Sequence, residues 1–275
     1  MKKSSSLPED FDVFGYLGCN PDLLRHFCDI DALESHYLNF GLNEGREFNL
    51  TKKPRSRWDY KEVWDSASST FDNAKIGVAG YTDEILFQKS AIESLNYLCE
   101  HLSITEHCHV LEIGCGVGRV GKELSNICAK WTGVDASSKM IEFAGSYLSG
   151  IENVTLAECS GYDLKCLGSS TFDKVYCIVV FMHLDEWERY NYIKEAFRVL
   201  KKGGRLLVNN INIRSSDGWR LFLEHADIPV TERPLNISKT STSSEIVNYF
   251  EKVGFVDIVV SEDETNLWLT VSGQK

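Results

Sequence analysis

The sequence has no apolar run long enough to cross a membrane, no Cys-x-x-Cys pair and no excess of positive charge. Its longest apolar stretch, residues 175–184, has the length of a buried strand rather than of a membrane helix. The first ten residues are too polar for a secretory leader. We therefore expect a cytoplasmic protein with no membrane span.

Paired cysteines and clustered metal ligands are also missing. The nine cysteines are an odd number at irregular spacing, which fits neither a disulfide framework nor a zinc site. The seven histidines are scattered along the chain without supporting ligands nearby. These patterns predict a reducing compartment and no metal site.

The charge balance is acidic, with 40 acidic against 29 basic residues and a formal net charge of -11. Nonspecific binding to nucleic acid needs clustered Lys and Arg, which release counterions from the phosphates. This balance argues against a nucleic-acid partner.

With 43 % hydrophobic residues in 275, the chain can bury one medium core plus a small appended module, or one large core.

The first part of the chain differs in pattern from the rest. Residues 1–52 contain short helical patterns, the second of which begins at Asp31, and Gly41 and Gly45 supply stop and turn signals. Residues 51–57 are polar, basic and interrupted by proline, as expected of a linker. The sequence therefore predicts a helical hairpin module followed by a separate domain.

From residue 58 to residue 275, strand patterns alternate with helical patterns after an initial helix at 83–102. Such alternation implies a parallel, doubly wound α/β sheet. Only residues 261–265 separate the last two strands, so these two should form an antiparallel hairpin. The expected strands are 108–113, 131–135, 153–157, 173–180, 204–210, 255–260 and 266–272, with helices at 117–128, 137–148, 186–200 and 242–253.

The strongest chemical signal is V-L-E-I-G-C-G-V-G-R at residues 110–119, an apolar strand that ends in alternating glycines. Gly114, Gly116 and Gly118 have no Cβ atoms, so the chain can turn sharply and a ligand can contact its backbone. A flat or extended ligand is expected at this turn.

The glycine spacing alone leaves two cofactor classes open, because Gly116, Gly118 and Gly121 also fit the G-x-G-x-x-G spacing of nicotinamide dinucleotide-binding proteins. Glu112 lies within the strand, where its carboxylate suits a cationic ligand better than a pyrophosphate. Asp135 ends the next strand and can accept hydrogen bonds from both hydroxyls of a ribose. The alternative role for Asp135 is that of a helix-capping acid.

In four ordered segments the sequence resembles the class I S-adenosylmethionine-dependent methyltransferases. The segments are E-I-G-C-G-V-G, G-V-D-A-S-S-K-M-I, F-D-K-V-Y-C-I-V-V-F-M-H-L and R-V-L-K-K-G-G-R-L-L-V, and the resemblance extends over about two hundred residues. It implies a Rossmann-like, seven-stranded, mostly parallel sheet with the last strand antiparallel. It also implies that S-adenosylmethionine is the cofactor and that its methyl group passes to an acceptor.

The resemblance further implies which residues contact the cofactor. The glycines would line its methionine and ribose, Asp135 would hold the ribose, and Ala136 and Met140 would flank the adenine. Ser160 stands where many relatives have an acid, and Phe181 and Tyr81 are candidates for cation-π contact with the sulfonium, or ordinary packing residues. The full expected set is Glu112, Gly114, Cys115, Gly116, Gly118, Asp135, Ala136, Met140, Ser160, Gly161, Tyr162, Phe181 and Tyr81.

His183 follows the fourth strand and is our candidate for the base that takes a proton from a hydroxyl acceptor, or else a residue that orients a loop. Residues 211–240 form an insertion expected to act as a lid on the substrate side. Arg214, Trp219 and Arg233 in this lid could hold a carboxylate, phosphate or sugar ring. Alternatively, the lid is held by its own packing.

Residues 16–48 resemble a short repeat found beside glycosyltransferases and in other proteins of surface polysaccharide assembly. This resemblance implies a saccharide acceptor and docking of a protein partner through residues 11–48, whereas the alternative is a hairpin with a packing role alone. Our leading hypothesis is O-methylation of a small molecule or saccharide. An NAD-dependent oxidoreductase and a non-catalytic scaffold with a nucleotide-binding fold are the alternatives.

Overall fold

A computed structural model of the protein describes residues 6–8, 11–20, 22–23, 29–48 and 59–275. The chain divides into two compact units, residues 1–57 and residues 58–275. The expected linker at 51–57 lies outside the described residues. In the part of the chain that is described, no helix has both the length and the apolar character needed to span a membrane.

The first unit contains short helices around an aromatic cluster. They are α1 (Val13–Cys19), α2 (Ile30–His36) and α3 (Leu42–Glu44), with a wider helical turn at Tyr37–Gly41. Gly41 therefore does not stop the helix as expected. A Cβ atom at Gly41 would lie 2.2 Å from the Tyr16 hydroxyl, so the glycine makes room for this buried ring. The helical segment ends at Gly45, whose φ of 68° favours glycine.

The second unit begins with three helices and continues as an alternating α/β domain. The helices before the sheet are α4 (Asp59–Ala67), α5 (Phe71–Ala79) and α6 (Glu84–Leu102). The remaining elements are β1 (His109–Ile113), α7 (Arg119–Leu124), β2 (Lys130–Asp135), α8 (Ser138–Tyr147), β3 (Val154–Glu158), β4 (Phe172–Cys177), α9 (Glu186–Val199), β5 (Leu200–Asn212), α10 (Ser216–Ala226), β6 (Thr240–Ser241), α11 (Ser243–Val253), β7 (Val256–Ser261) and β8 (Trp268–Gln274).

The long strands lie in the order β3-β2-β1-β4-β5-β8-β7. Strands β1 to β5 pair in parallel, whereas β8 runs antiparallel to both of its neighbours, β5 and β7. The predicted Rossmann-like fold class and the final hairpin are confirmed. The two-residue strand β6, which pairs in parallel with the end of β5, was not expected.

Apolar side chains cover both faces of this sheet. Val110 and Leu111 are neighbours in β1 and belong to separate buried clusters on opposite faces, and Val175 and Tyr176 in β4 do the same. Both faces are buried because the parallel connections place helices on each side. Only the edge of the sheet at the carboxyl ends of the strands is then left for a ligand.

Several boundaries differ from those expected. The helix predicted at 117–128 is limited to α7, six residues long, and α10 occupies part of the predicted lid. Strand β4 ends at Cys177 rather than at residue 180, and Val179 beyond it has a φ of 60°. A backbone in the left-handed region cannot continue a strand.

The start of α11 also differs from the expected capping box. Thr242 Oγ1 accepts a hydrogen bond from Glu245 N at 3.3 Å, as predicted, but the Glu245 carboxylate pairs with Arg189 Nη1 at 3.1 Å. Arg189 is only 4 % exposed and also donates from Nε to the Phe181 carbonyl at 3.0 Å. Glu245 therefore balances a buried charge and links α11 to α9.

We expect Glu245→Ala to lower the free energy of unfolding by about 2 kcal/mol, because it leaves the Arg189 guanidinium buried without its carboxylate. Urea denaturation of the two proteins measures this difference. Glu251→Ala, on the exposed side of the same helix, is the matched control and should change stability by about 0.5 kcal/mol or less. Equal effects of the two substitutions would show that the ion pair contributes nothing.

Candidate active site

A cavity lies at the carboxyl ends of β1, β2 and β4, where open α/β sheets bind ligands. Helices α4 and α5 contribute Tyr60, Trp64 and Val78 to its wall, and α9 contributes Tyr192. The residues expected from the sequence that line this cavity are Glu112, Gly114, Cys115, Gly116, Asp135, Ala136, Met140, Gly161 and His183.

The Asp135 carboxylate joins the end of β2 to the glycine turn after β1. Its Oδ2 accepts from Gly116 N at 2.8 Å, and its Oδ1 accepts from Ser137 N at 2.9 Å. Burial raises the pKa of Asp135, although these backbone hydrogen bonds oppose that effect. The residue that caps α8 is Ser137, whose Oγ accepts from Met140 N, so Asp135 is not the helix cap.

The glycine turn has a conformation and surroundings that exclude side chains. Gly116 has a φ of 52°, and a Cβ atom there would lie 2.3 Å from Val78 Cγ1. A Cβ atom at Gly114 would lie 2.3 Å from Val180 Cγ2. The backbone at this turn consequently forms part of the cavity wall itself.

Glu112 lies deeper in the cavity wall and is 4 % exposed. Its Oε2 accepts from the Tyr176 hydroxyl at 2.5 Å, and Tyr176 in turn accepts from Trp131 Nε1 at 3.3 Å. Burial raises the pKa of Glu112 to about 8, although the charge of Arg119 and the Tyr176 hydrogen bond oppose this. At neutral pH the carboxyl is therefore largely protonated, and a cationic ligand nearby would favour its ionised form.

Replacing Glu112 by glutamine should remove one pH-dependent contribution to stability. The pKa of Glu112 in the folded protein, about 8, lies above its usual value of 4.5. The contribution of the neutral Glu112 carboxyl to the free energy of unfolding is therefore fully present below pH 4.5 and is lost as the pH rises through 8. We expect wild-type Tm to fall more steeply over this range than the Tm of Glu112→Gln, in thermal melts at matched ionic strength. Parallel pH profiles would contradict a buried, titrating Glu112.

His183 lies in a short helical turn after β4 and lines the cavity. Its Nδ1 lies 2.8 Å from the Asn236 carbonyl, and because a carbonyl only accepts, Nδ1 carries the proton and the neutral ring keeps a lone pair on Nε2. Burial lowers the pKa of His183 to about 4, and the charge of Lys239 adds to this. The Trp64 ring meets the imidazole edge-on, with ring centroids 4.9 Å apart.

Some expected cofactor residues do not line the cavity. Phe181 is 1 % exposed and belongs to the core on one face of the sheet, so its role is packing. Tyr81 is exposed before α6. Gly118 lies behind the turn, where a Cβ atom would meet Leu148 at 2.6 Å. The sequence pattern placed these residues near the site but could not show which way they face.

The third expected motif also turns away from the cavity. Ser160 Oγ donates to Asp163 Oδ1 at 2.8 Å and thereby closes a local turn. Tyr162 is exposed, and its carbonyl accepts from the Asn191 side chain. From this segment the cavity receives Gly161, as expected, and the neighbouring Cys159.

The three lid residues expected to hold substrate make local contacts instead. Arg214 pairs with Glu262 at 3.7 Å and with Glu264 at 3.9 Å. Trp219 stacks on Phe222, with centroids 5.3 Å apart, and none of the three expected residues lines the cavity. Arg233 donates to the Ile228 and Ala226 carbonyls. These contacts favour the alternative interpretation of a lid held by its own packing.

Sequence reasoning missed the aromatic wall from α4 and the charge of Arg119. Neither α4 nor α5 was expected. The available signal was the aromatic pair Tyr60 and Trp64, which stands at helical spacing at the start of the domain. Arg119 is the last residue of the glycine motif at residues 110–119. The sequence predicted no role for it, because residue spacing does not reveal that its guanidinium is buried.

Comparison with known proteins agrees with this geometry. Residues 110–204 match the model of a methyltransferase domain family. This segment therefore belongs to the methyltransferase domain family, and an S-adenosylmethionine-dependent methyltransferase is among the similar solved structures. The predicted family is thus confirmed for the methyltransferase domain, and the nicotinamide alternative is set aside. The resemblance of residues 16–48 to a repeat stays a prediction.

Two curated relatives are named as methyltransferases. A sterol 4-C-methyltransferase, strm-1, of Caenorhabditis elegans is 31 % identical over 143 residues, which are 50 % of this chain and 41 % of that protein. A ubiquinone biosynthesis O-methyltransferase of Coxiella burnetii is 29 % identical over 104 residues, 38 % of this chain and 44 % of that protein. The chain thus spans less than half the length of these relatives.

Solved structures share the fold. An S-adenosylmethionine-dependent methyltransferase from Methanosarcina mazei has a TM-score of 0.52 at 25 % identity, and the match covers 62 % of this chain and 94 % of that one. A magnesium protoporphyrin IX methyltransferase from Synechocystis, with bound S-adenosylhomocysteine, has a TM-score of 0.60 at 16 % identity and covers 80 % of this chain and 100 % of that one.

Proposed function

We propose that the protein transfers the methyl group of S-adenosylmethionine to an oxygen atom of a small molecule or saccharide. The observation that carries this proposal is the Asp135 carboxylate, which accepts a hydrogen bond from Gly116 N at a turn whose backbone lines the cavity. A carboxylate at this position suits the paired hydroxyls of a ribose.

The residues of the cavity fit the cofactor. Asp135 would bind the ribose, Ala136 and Met140 would flank the adenine, and the backbone of Gly114 and Gly116 would lie along the thioether chain. When bound, S-adenosylmethionine supplies an electrophilic methyl group on a sulfonium with a neutral leaving group. The chain therefore has to orient the acceptor and exclude water, which the aromatic wall from α4 supports.

His183 supports oxygen as the acceptor atom. The lone pair on its neutral Nε2 can accept the proton of an acceptor hydroxyl as the methyl group is transferred. The two relatives described above are named for methylation at carbon and at oxygen, so their names alone do not choose between these atoms. A saccharide acceptor is suggested by the resemblance of residues 16–48, and we propose that residues 11–48 dock a protein partner.

We expect the purified protein to bind S-adenosylhomocysteine in calorimetric titration and to show no binding of NAD. Asp135→Ala should weaken this binding about 30-fold, or about 2 kcal/mol, because a charged hydrogen-bond acceptor is lost. Asp227→Ala, an exposed acid after α10, serves as the control and should bind as the wild type does. Absence of binding by the wild-type protein would overturn the proposed function.

The acceptor chemistry is tested by His183→Gln, with release of S-adenosylhomocysteine as the assay on hydroxylated acceptors, saccharides first. We expect kcat/KM to fall about 100-fold or more, while the affinity for S-adenosylhomocysteine stays within a factor of about three. Because protonation of His183 occurs only near its pKa of about 4, wild-type kcat/KM should stay level down to about pH 5 and decline below it. An unchanged kcat/KM in the variant would remove His183 from the reaction.

A further inference from the structure

A second cavity, with a volume of about 480 Å³, adjoins the first and has the size of a small-molecule site. It lies between α6 and the strands β5 and β8. The residues that line both cavities are Gly77, Val78, Arg119, Ile178 and Val179. A molecule bound in the second cavity would therefore lie next to the cofactor and could reach it through the segment that the two cavities share.

The floor of the second cavity is a row of polar side chains across three strands. Asn209 in β5 pairs with Thr270 in β8, and Thr270 pairs on its other side with Ser261 in β7. Directly paired residues point to the same face of a sheet, and all three residues line the cavity. Two residues earlier on this face of β5, Leu207 belongs to the apolar core. The face of the sheet thus changes from apolar to polar where the cavity begins.

Asn209 presents an unpaired donor to this cavity although the residue is only 9 % exposed. Its Oδ1 accepts from Val179 N at 2.7 Å, and because a backbone N–H only donates, this contact fixes the orientation of the amide. Nδ2 donates to no atom in the described part of the chain. Unlike Asn210 Oδ1, it is not an enclosed atom, and Asn209 lines the second cavity and not the first. The amide donor is therefore open to a ligand in the second cavity.

The groups around Asn209 suit a ring that carries several hydroxyls. Thr270 is 4 % exposed and accepts from the Tyr97 hydroxyl, and its own proton has no acceptor among the described residues. Trp268 stands two residues before Thr270 in β8, so its half-buried indole lies on the same face. From α6 the Glu93 carboxylate adds an acceptor. An apolar ring in this cavity would leave the Asn209 and Thr270 protons unpaired, which is unfavourable.

We propose that the second cavity binds the ring of a saccharide acceptor, with Asn209 and Thr270 donating to its oxygens and Trp268 packing against its apolar face. This inference rests on the proposed function, since it requires a methyl donor in the first cavity. One hydroxyl of the sugar would reach through the shared segment toward His183. In the transfer, the methyl group leaves the sulfonium and bonds to the hydroxyl oxygen, while the hydroxyl proton passes to His183 Nε2.

The test measures the binding of small sugars to the protein loaded with S-adenosylhomocysteine. The probes are the methyl glycosides of glucose, galactose, mannose and rhamnose, titrated in saturation-transfer NMR, and cyclohexanol is a six-membered ring with a single hydroxyl for comparison. We expect at least one glycoside to bind wild type and to bind about tenfold more tightly than cyclohexanol, because it can pair with the donors of the cavity. If no glycoside binds, or if cyclohexanol binds equally well, the inference is overturned.

Two substitutions determine where the sugar binds. Asn209→Asp keeps the Oδ1 acceptor for Val179 N and removes the amide donor, whereas Thr270→Val removes the hydroxyl. We expect each to weaken glycoside binding about tenfold, as for the loss of one hydrogen bond, and to leave the affinity for S-adenosylhomocysteine within a factor of about three. Thr155→Val, at an exposed position of the edge strand β3, is the matched control and should bind both ligands as wild type does.

The remaining outcomes separate this inference from the proposed function. Unchanged glycoside binding in both variants would place the sugar elsewhere and overturn the inference, while binding of S-adenosylhomocysteine keeps the function. If both variants lose the two ligands together, the role of these side chains is structural and the inference is overturned as well. If only Thr270→Val loses both ligands, the result for Asn209→Asp decides. Absence of S-adenosylhomocysteine binding by wild type overturns the function and the inference with it.

Discussion

The hydrogen bond from Gly116 N to the Asp135 carboxylate is the contact on which the site depends, because it joins two strands at the edge of the sheet that is left open. Both faces of the sheet are covered by helices, so a ligand has access only where the strands end. The left-handed backbone at Gly114 and Gly116 lets Val180 and Val78 pack against the turn where side chains would otherwise lie. At this turn the cavity is therefore lined by backbone atoms and by the Asp135 carboxylate.

Beside the glycine turn lie two ionisable groups that do not neutralise one another. Glu112 is held by Tyr176 and stays largely protonated, while Arg119 keeps its charge. Burial penalises both charged forms, and the carboxyl can respond by binding a proton whereas the guanidinium cannot. A zwitterionic ligand that carries a cationic centre would suit both groups.

The region that was expected to choose the acceptor makes its own contacts. Arg214, Trp219 and Arg233 are engaged by carboxylates, by Phe222 and by backbone carbonyls of the lid, away from the cavity. His183, from the turn after β4, and Trp64, from α4, do line the cavity and contact each other. The sequence did not identify the aromatic wall of the cavity, Tyr60 and Trp64, because these residues lie far along the chain from the glycine motif.

The sequence by itself determined the sheet, its antiparallel last strand and part of the lining of the cavity, including Glu112, Gly116 and Asp135. These features depend on the alternation of strands with helices and on which residues end each strand. The carboxyl ends of parallel strands meet at one edge of the sheet, so these residues come together independently of the packing of other side chains. Only the tertiary structure decided that Phe181 packs in the core, that Ser160 closes its own turn and that the Arg119 guanidinium is buried without an acid. Burial and partner choice depend on side chains brought together from distant elements, and spacing along the chain carries no information about them.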